Sequence, residues 1–81
     1  MKNLVQHSNL LEEIEMELEY AEHTLTFYEK SKEKYEKEQD YNGMNAMDYS
    51  IRNTQNKIET LLRLRMVAVE ELKQIERYIA E

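Results

Sequence analysis

Along two long segments of this chain, residues suited to a helix interface recur in alternating steps of three and four, and the segments meet near its only glycine. In the first, Leu4, His7, Leu11, Ile14, Leu18, Ala21, Leu25, Tyr28, Lys32 and Tyr35 form one seam. In the second, Met47, Ile51, Thr54, Ile58, Leu61, Arg65, Ala68, Leu72, Ile75 and Ile79 form another. A repeat averaging about 3.5 residues keeps one side of an α-helix turned toward a partner helix, the pattern of a coiled coil. No proline interrupts either segment, and Glu, Lys, Leu and Met are strong helix formers.

Boundaries follow from capping chemistry. Asn9 with Glu12 three residues on fits a capping box, with Ser8 as the rival cap, so Met1 to Ser8 reads as a short leader and helix 1 as residues 9–39. Asp40-Tyr41-Asn42-Gly43 breaks the seam; Asn-Gly takes positive φ readily, and Gly43 suits a helix C-terminal cap. The turn is therefore predicted at 40–45, with Asn45 and Asp48 opening helix 2 at 46–80. One continuous helix through Gly43 is the alternative, and it leaves that turn chemistry without a role.

A chain folded back at Gly43 sets level those residues whose numbers sum to about 86. That rule pairs Leu25 with Leu61, Tyr28 with Ile58, Tyr35 with Ile51, Ile14 with Leu72, Leu11 with Ile75 and Leu18 with Ala68. Two layers are polar: Lys32 against Thr54, and Arg65 over Ala21 with its head group reaching out to Glu17 or Glu22. The expected fold is all-α, a two-helix antiparallel coiled-coil hairpin forming a single domain over residues 1–81. Its expected core is Leu11, Ile14, Leu18, Leu25, Tyr28, Ile58, Leu61, Leu72 and Ile75.

A hairpin alone is a thin structure. A chain of 81 residues buries only about 60% of its unfolded surface, and without cysteine no disulfide supplements the core. The stretch from Ile58 to Leu72 is apolar around far more than the roughly 100° that one neighbour covers. Leu62, Met66 and Val69 border the seam and are the expected interface of a homodimer, two hairpins making a four-helix bundle. On the outer face of helix 1, Met16, Tyr20, His23 and Phe27 form a second apolar stripe, ringed by Glu12, Glu13 and Glu19, and are the expected protein-partner site. Tyr41, Met44 and Tyr49 mark the turn end.

Charge narrows the partners. Net charge is -6, and between Asn3 and Glu29 there are seven glutamates and no lysine or arginine. Such a surface repels phosphate, which argues against direct nucleic-acid binding and for a basic protein partner. The longest uninterrupted apolar run is Met66 to Val69, too short to span a bilayer, and no signal peptide is evident, so the cytoplasm is the expected compartment (the host cytoplasm, if the chain is phage-encoded). A glutamate-bordered apolar face also has the wrong sign for anionic lipid.

Catalytic constellations are missing. Di-metal bundles need Glu-x-x-His facing inward, and Leu4 precedes His7 and Tyr20 precedes His23 at that spacing. There is no cysteine, and a single glycine cannot build a phosphate loop. No enzyme activity, metal or cofactor is expected. The functional expectation is a protein-binding module, a small acidic inhibitor or antagonist of the general character seen in phages and mobile elements, which blocks a basic and nucleic-acid-binding type of protein surface. The alternative is a structural adaptor whose bundle joins larger components.

Overall fold

The computed structural model describes the backbone of residues 2–80 and the side chains of residues 9–79. Two helices, α1 over Lys2–Lys37 and α2 over Tyr41–Ala80, fold back on each other as a hairpin. The result is a rod of 63 × 14 × 13 Å. Helix α1 passes straight through Ser8 and Asn9, so the expected cap there is not used. At 40 residues, α2 is long enough for its backbone to run beside the segment upstream of Asn9.

The chain reverses at residues 38–40 and not at 40–45, which corrects the expected turn. Gln39 adopts φ 57°, the left-handed conformation that ends many helices. Around it the Gln39 N–H donates to Glu36 O at 3.1 Å, and the Asp40 N–H donates to Tyr35 O at 2.9 Å. These two bonds make a Schellman cap with glutamine where glycine is usual. Asp40 then starts the next helix at once. Its Oδ1 accepts from the Gly43 N–H at 3.0 Å, and its carbonyl accepts from the Met44 N–H at 3.0 Å. Asp40 is thus the N-cap of α2, and neither Asn45 nor Asp48 opens it.

Gly43 sits inside the first turn of α2 without positive φ. Its role is close approach: a Cβ there would lie 2.6 Å from Cδ1 of the Tyr35 ring and 2.7 Å from Cγ. The ring of Tyr35 occupies the space a side chain would need.

Moving the turn changes the register by one heptad. Tyr35 lies over Gly43 and Lys32 Nζ bonds Asp48 Oδ1 at 2.6 Å, so level residues have numbers summing to about 79. The seven-residue repeat is preserved by that shift, so the same residues face inward with different partners. Leu18 is now level with Leu61, Leu11 with Ala68, Ala21 with Ile58, Ile14 with Arg65 and Leu25 with Thr54. Leu25 and Leu61 do not face each other, and Leu72 and Ile75 are level with His7 and Leu4.

Ile14, Leu18, Ala21, Leu61 and Ala68 are the buried apolar residues, and Leu11 and Ile58 pack against their cluster. Leu25, Tyr28, Leu72 and Ile75, also expected in the core, are half-buried. The thinning has a cause at one layer: opposite Leu25 stands Thr54, whose hydroxyl donates to Ser50 O at 2.8 Å within its own helix. Among the described residues no side chain is buried completely.

Two expectations follow. Leu18→Ala and Leu61→Ala each cost about 2–5 kcal/mol in chemical denaturation, and because the two side chains touch the same cluster their effects couple by about 0.5–3 kcal/mol. Leu25→Ala combined with Leu61→Ala adds to within about 0.5 kcal/mol. At the turn, Asp40→Ala costs about 0.5–2 kcal/mol and Gln39→Gly stabilises by about 1 kcal/mol, both read by thermal melts.

Candidate functional site

An antiparallel pair of helices has two flanks along its seam, and here they differ in chemistry. On one flank, α1 places a glutamate every seventh residue: Glu15, Glu22, Glu29 and Glu36. Glu19 and Glu33 join them one turn away, and all six are exposed. Residues three, four and seven apart lie on one side of a helix, so this row is a continuous acidic ridge. It faces a shallow groove in which Glu15, Glu19, Glu22, Leu18, Leu62 and Arg65 meet. A second groove toward the turn joins Glu29, Glu33 and Glu36 with Lys32, Ile51 and Gln55.

Arg65 holds a seam position yet is exposed, and it lines the same groove as the ridge residues Glu15, Glu19 and Glu22. Its level neighbour is Ile14, where the expected register had put Ala21. Lys32 behaves likewise at the other polar layer. Its hydrogen bond to Asp48, together with the Asp48 charge, raises its pKa above the ordinary 10.5 against a small opposing effect of burial. Both partners stay well solvated, at 37% and 47% exposure, so the pair contributes more to register than to stability.

The opposite flank is apolar. Leu10, Glu13, Ile14, Glu17, Leu61 and Leu64 enclose a groove of about 220 Å³ that opens directly onto the buried cluster. Leu10 is 47% exposed and Leu64 50%. Val67 is exposed on α2 beyond Leu64. The groove continues past Glu13 and Glu17 to Met16, Tyr20 and Lys57.

Met16 and Tyr20 are more than two-thirds exposed and Phe27 nearly so, with His23, Glu12, Glu13 and Glu19 also at the surface. The expected partner stripe is therefore accessible on the outside of α1, and the Phe27 ring meets Tyr28 edge-on at 5.9 Å. Of the residues expected at a homodimer interface, Met66 is 72% exposed, Leu62 is 38% exposed and Val69 is half-buried. The new register offsets these two groups along the rod, so that Tyr20 is level with Glu59 and Met66 with Glu13, and they adjoin only where Met16 and Leu62 stand at nearly the same height. At the turn end Tyr41 and Tyr49 are exposed, whereas Met44 is half-buried and extends the α2 seam opposite Tyr35.

The apolar flank and the acidic ridge were not singled out from the sequence. The heptad spacing of Glu15, Glu22, Glu29 and Glu36 was the available signal for the ridge. The signal for Leu10 and Leu64 was their place beside the seam, legible only once the register is known.

Among the described residues, no group of three or more His, Asp or Glu side chains is placed to hold a metal ion. No described helix is long and apolar enough to cross a membrane. No family model matches the chain, and neither a curated protein nor a solved structure matches it.

Proposed function

We propose that this chain is a non-catalytic protein-binding module in which two hairpins associate as a four-helix bundle and the outside of α1 covers a basic surface of a target protein. The target surface is of the kind that otherwise holds nucleic acid, which makes the module an inhibitor or antagonist of the phage and mobile-element type, acting in the cytoplasm. The observation that carries this reading is the segregation of charge: six exposed glutamates run along one flank of α1, with Met16, Tyr20, His23 and Phe27 exposed beside them. A carboxylate row steers a cationic surface into place, and large side chains at its border supply the contact area that converts encounter into affinity.

The exposed Tyr41 and Tyr49 at the turn end, 69% and 70% accessible, favour the second reading of an assembly adaptor attached through its tip. One panel of variants separates the two. Wild-type protein and the triple variant Glu15→Lys, Glu19→Lys, Glu22→Lys are immobilised and exposed to host lysate at physiological salt. The expected result is a basic protein retained by the wild type, released by double-stranded DNA, and lost from the triple variant. A target that stays bound to the triple variant but is lost on Tyr41→Ala with Tyr49→Ala would replace the antagonist reading with the adaptor.

A further inference from the structure

We infer that the second copy of this chain docks on the flank lined by Leu10 and Leu64, and that the acidic ridge remains outside the bundle. This rests on the four-helix-bundle reading and assigns its interface. Surface area is the first argument. A compact chain of 9.8 kDa exposes about 5,200 Å², whereas this rod exposes 6745 Å². A stable interface removes about 800 Å² from each partner, so pairing along one flank brings each hairpin about halfway from its present exposure to the compact value. A second copy is the partner whose apolar flank is guaranteed to match in length.

Charge decides between the flanks. Pairing through Leu62, Met66 and Val69 would draw Glu15, Glu19 and Glu22, which share a groove with Leu62, into the interface. Arg65 in the same groove offsets one of these three carboxylates, and burying the remaining two beside those of a symmetric copy is unfavourable. On the other flank, Leu10, Leu64, Leu61 and Ile14 line a groove continuous with the core together with two carboxylates, Glu13 and Glu17, and Lys57 lies alongside the same two glutamates. A symmetric copy closes that groove with leucine and keeps these charges at the rim.

The test is mass in solution, by light scattering during chromatography, with helicity checked by circular dichroism. The wild type is expected at twice 9.8 kDa. Leu10→Glu with Leu64→Glu is expected at one chain, and Met66→Glu is expected to remain a dimer. If the glutamate pair loses helicity, Leu10→Gln with Leu64→Gln is expected to raise the dimer dissociation constant at least tenfold, about 1.4 kcal/mol. A wild type of one chain's mass overturns the bundle reading itself. A dimer that survives the leucine variants but dissociates with Met66→Glu leaves the bundle standing and overturns the choice of flank.

Discussion

The hydrogen-bonded reversal at Gln39 and Asp40 determines everything else in this molecule, because the seams it joins cannot choose their own alignment. A heptad repeat is nearly unchanged by sliding one helix seven residues past the other, a shift of roughly 10 Å. Apolar residues still meet apolar residues after the slide. The turn removes that degeneracy by ending α1 at Lys37 and starting α2 at Tyr41, with only Glu38, Gln39 and Asp40 between the two helices. Holding Gln39 in the left-handed region costs about 1–2 kcal/mol. The cost is offset by the Schellman bonds, by the Asp40 cap, and by bringing Gly43 against Tyr35.

The resulting interface is narrow. Ile14, Leu18, Leu61 and Ala68 supply a short buried stretch in the half of the rod away from the turn, and the layers nearer the turn are built from Thr54, Lys32 and Tyr35. Two helices alone cannot enclose a wide core, since each presents only one stripe to the other. What they leave uncovered is unevenly distributed: a row of six carboxylates follows one flank, and Leu10 and Leu64 lie on the other beside Glu13 and Glu17. A second copy on the leucine flank leaves the acidic ridge open, while Met16 and Tyr20 line the continuation of that flank's groove and so stand at the border between the two proposed surfaces.

Helix content, hairpin topology and the identity of the inward-facing residues were legible in the sequence, because the three-four spacing of Leu11 through Tyr35 and Ile51 through Ile75 admits no other face. Register was not. The Asn42-Gly43 pair carries the strongest turn chemistry in the chain, yet the fold uses Gly43 for its missing side chain and leaves the left-handed position to Gln39. Nothing local marks Gln39 as a turn residue. The Schellman bonds, the Asp40 cap and the close approach of the Tyr35 ring to Gly43 outweigh its intrinsic preference. Once the register slipped by a heptad, every pairing such as Leu25 with Leu61 slipped with it. The expected partner stripe of Met16, Tyr20 and Phe27 kept its exposure, since it depends only on the repeat within α1.

The alignment of the two helices is the claim on which the flanks, the interface and the target surface all depend. Distances between paired spin labels, measured in samples diluted with unlabelled protein, test it directly. Thr26, Arg52 and Glu59 are exposed and lie on the same flank, so labels there differ mainly in height along the rod. The turn at Gln39 requires the Thr26–Arg52 pair to be clearly closer than the Thr26–Glu59 pair, with both unchanged by dilution. A shorter Thr26–Glu59 distance, or a Thr26–Arg52 distance near the roughly 39 Å of an unbroken helix, would contradict it.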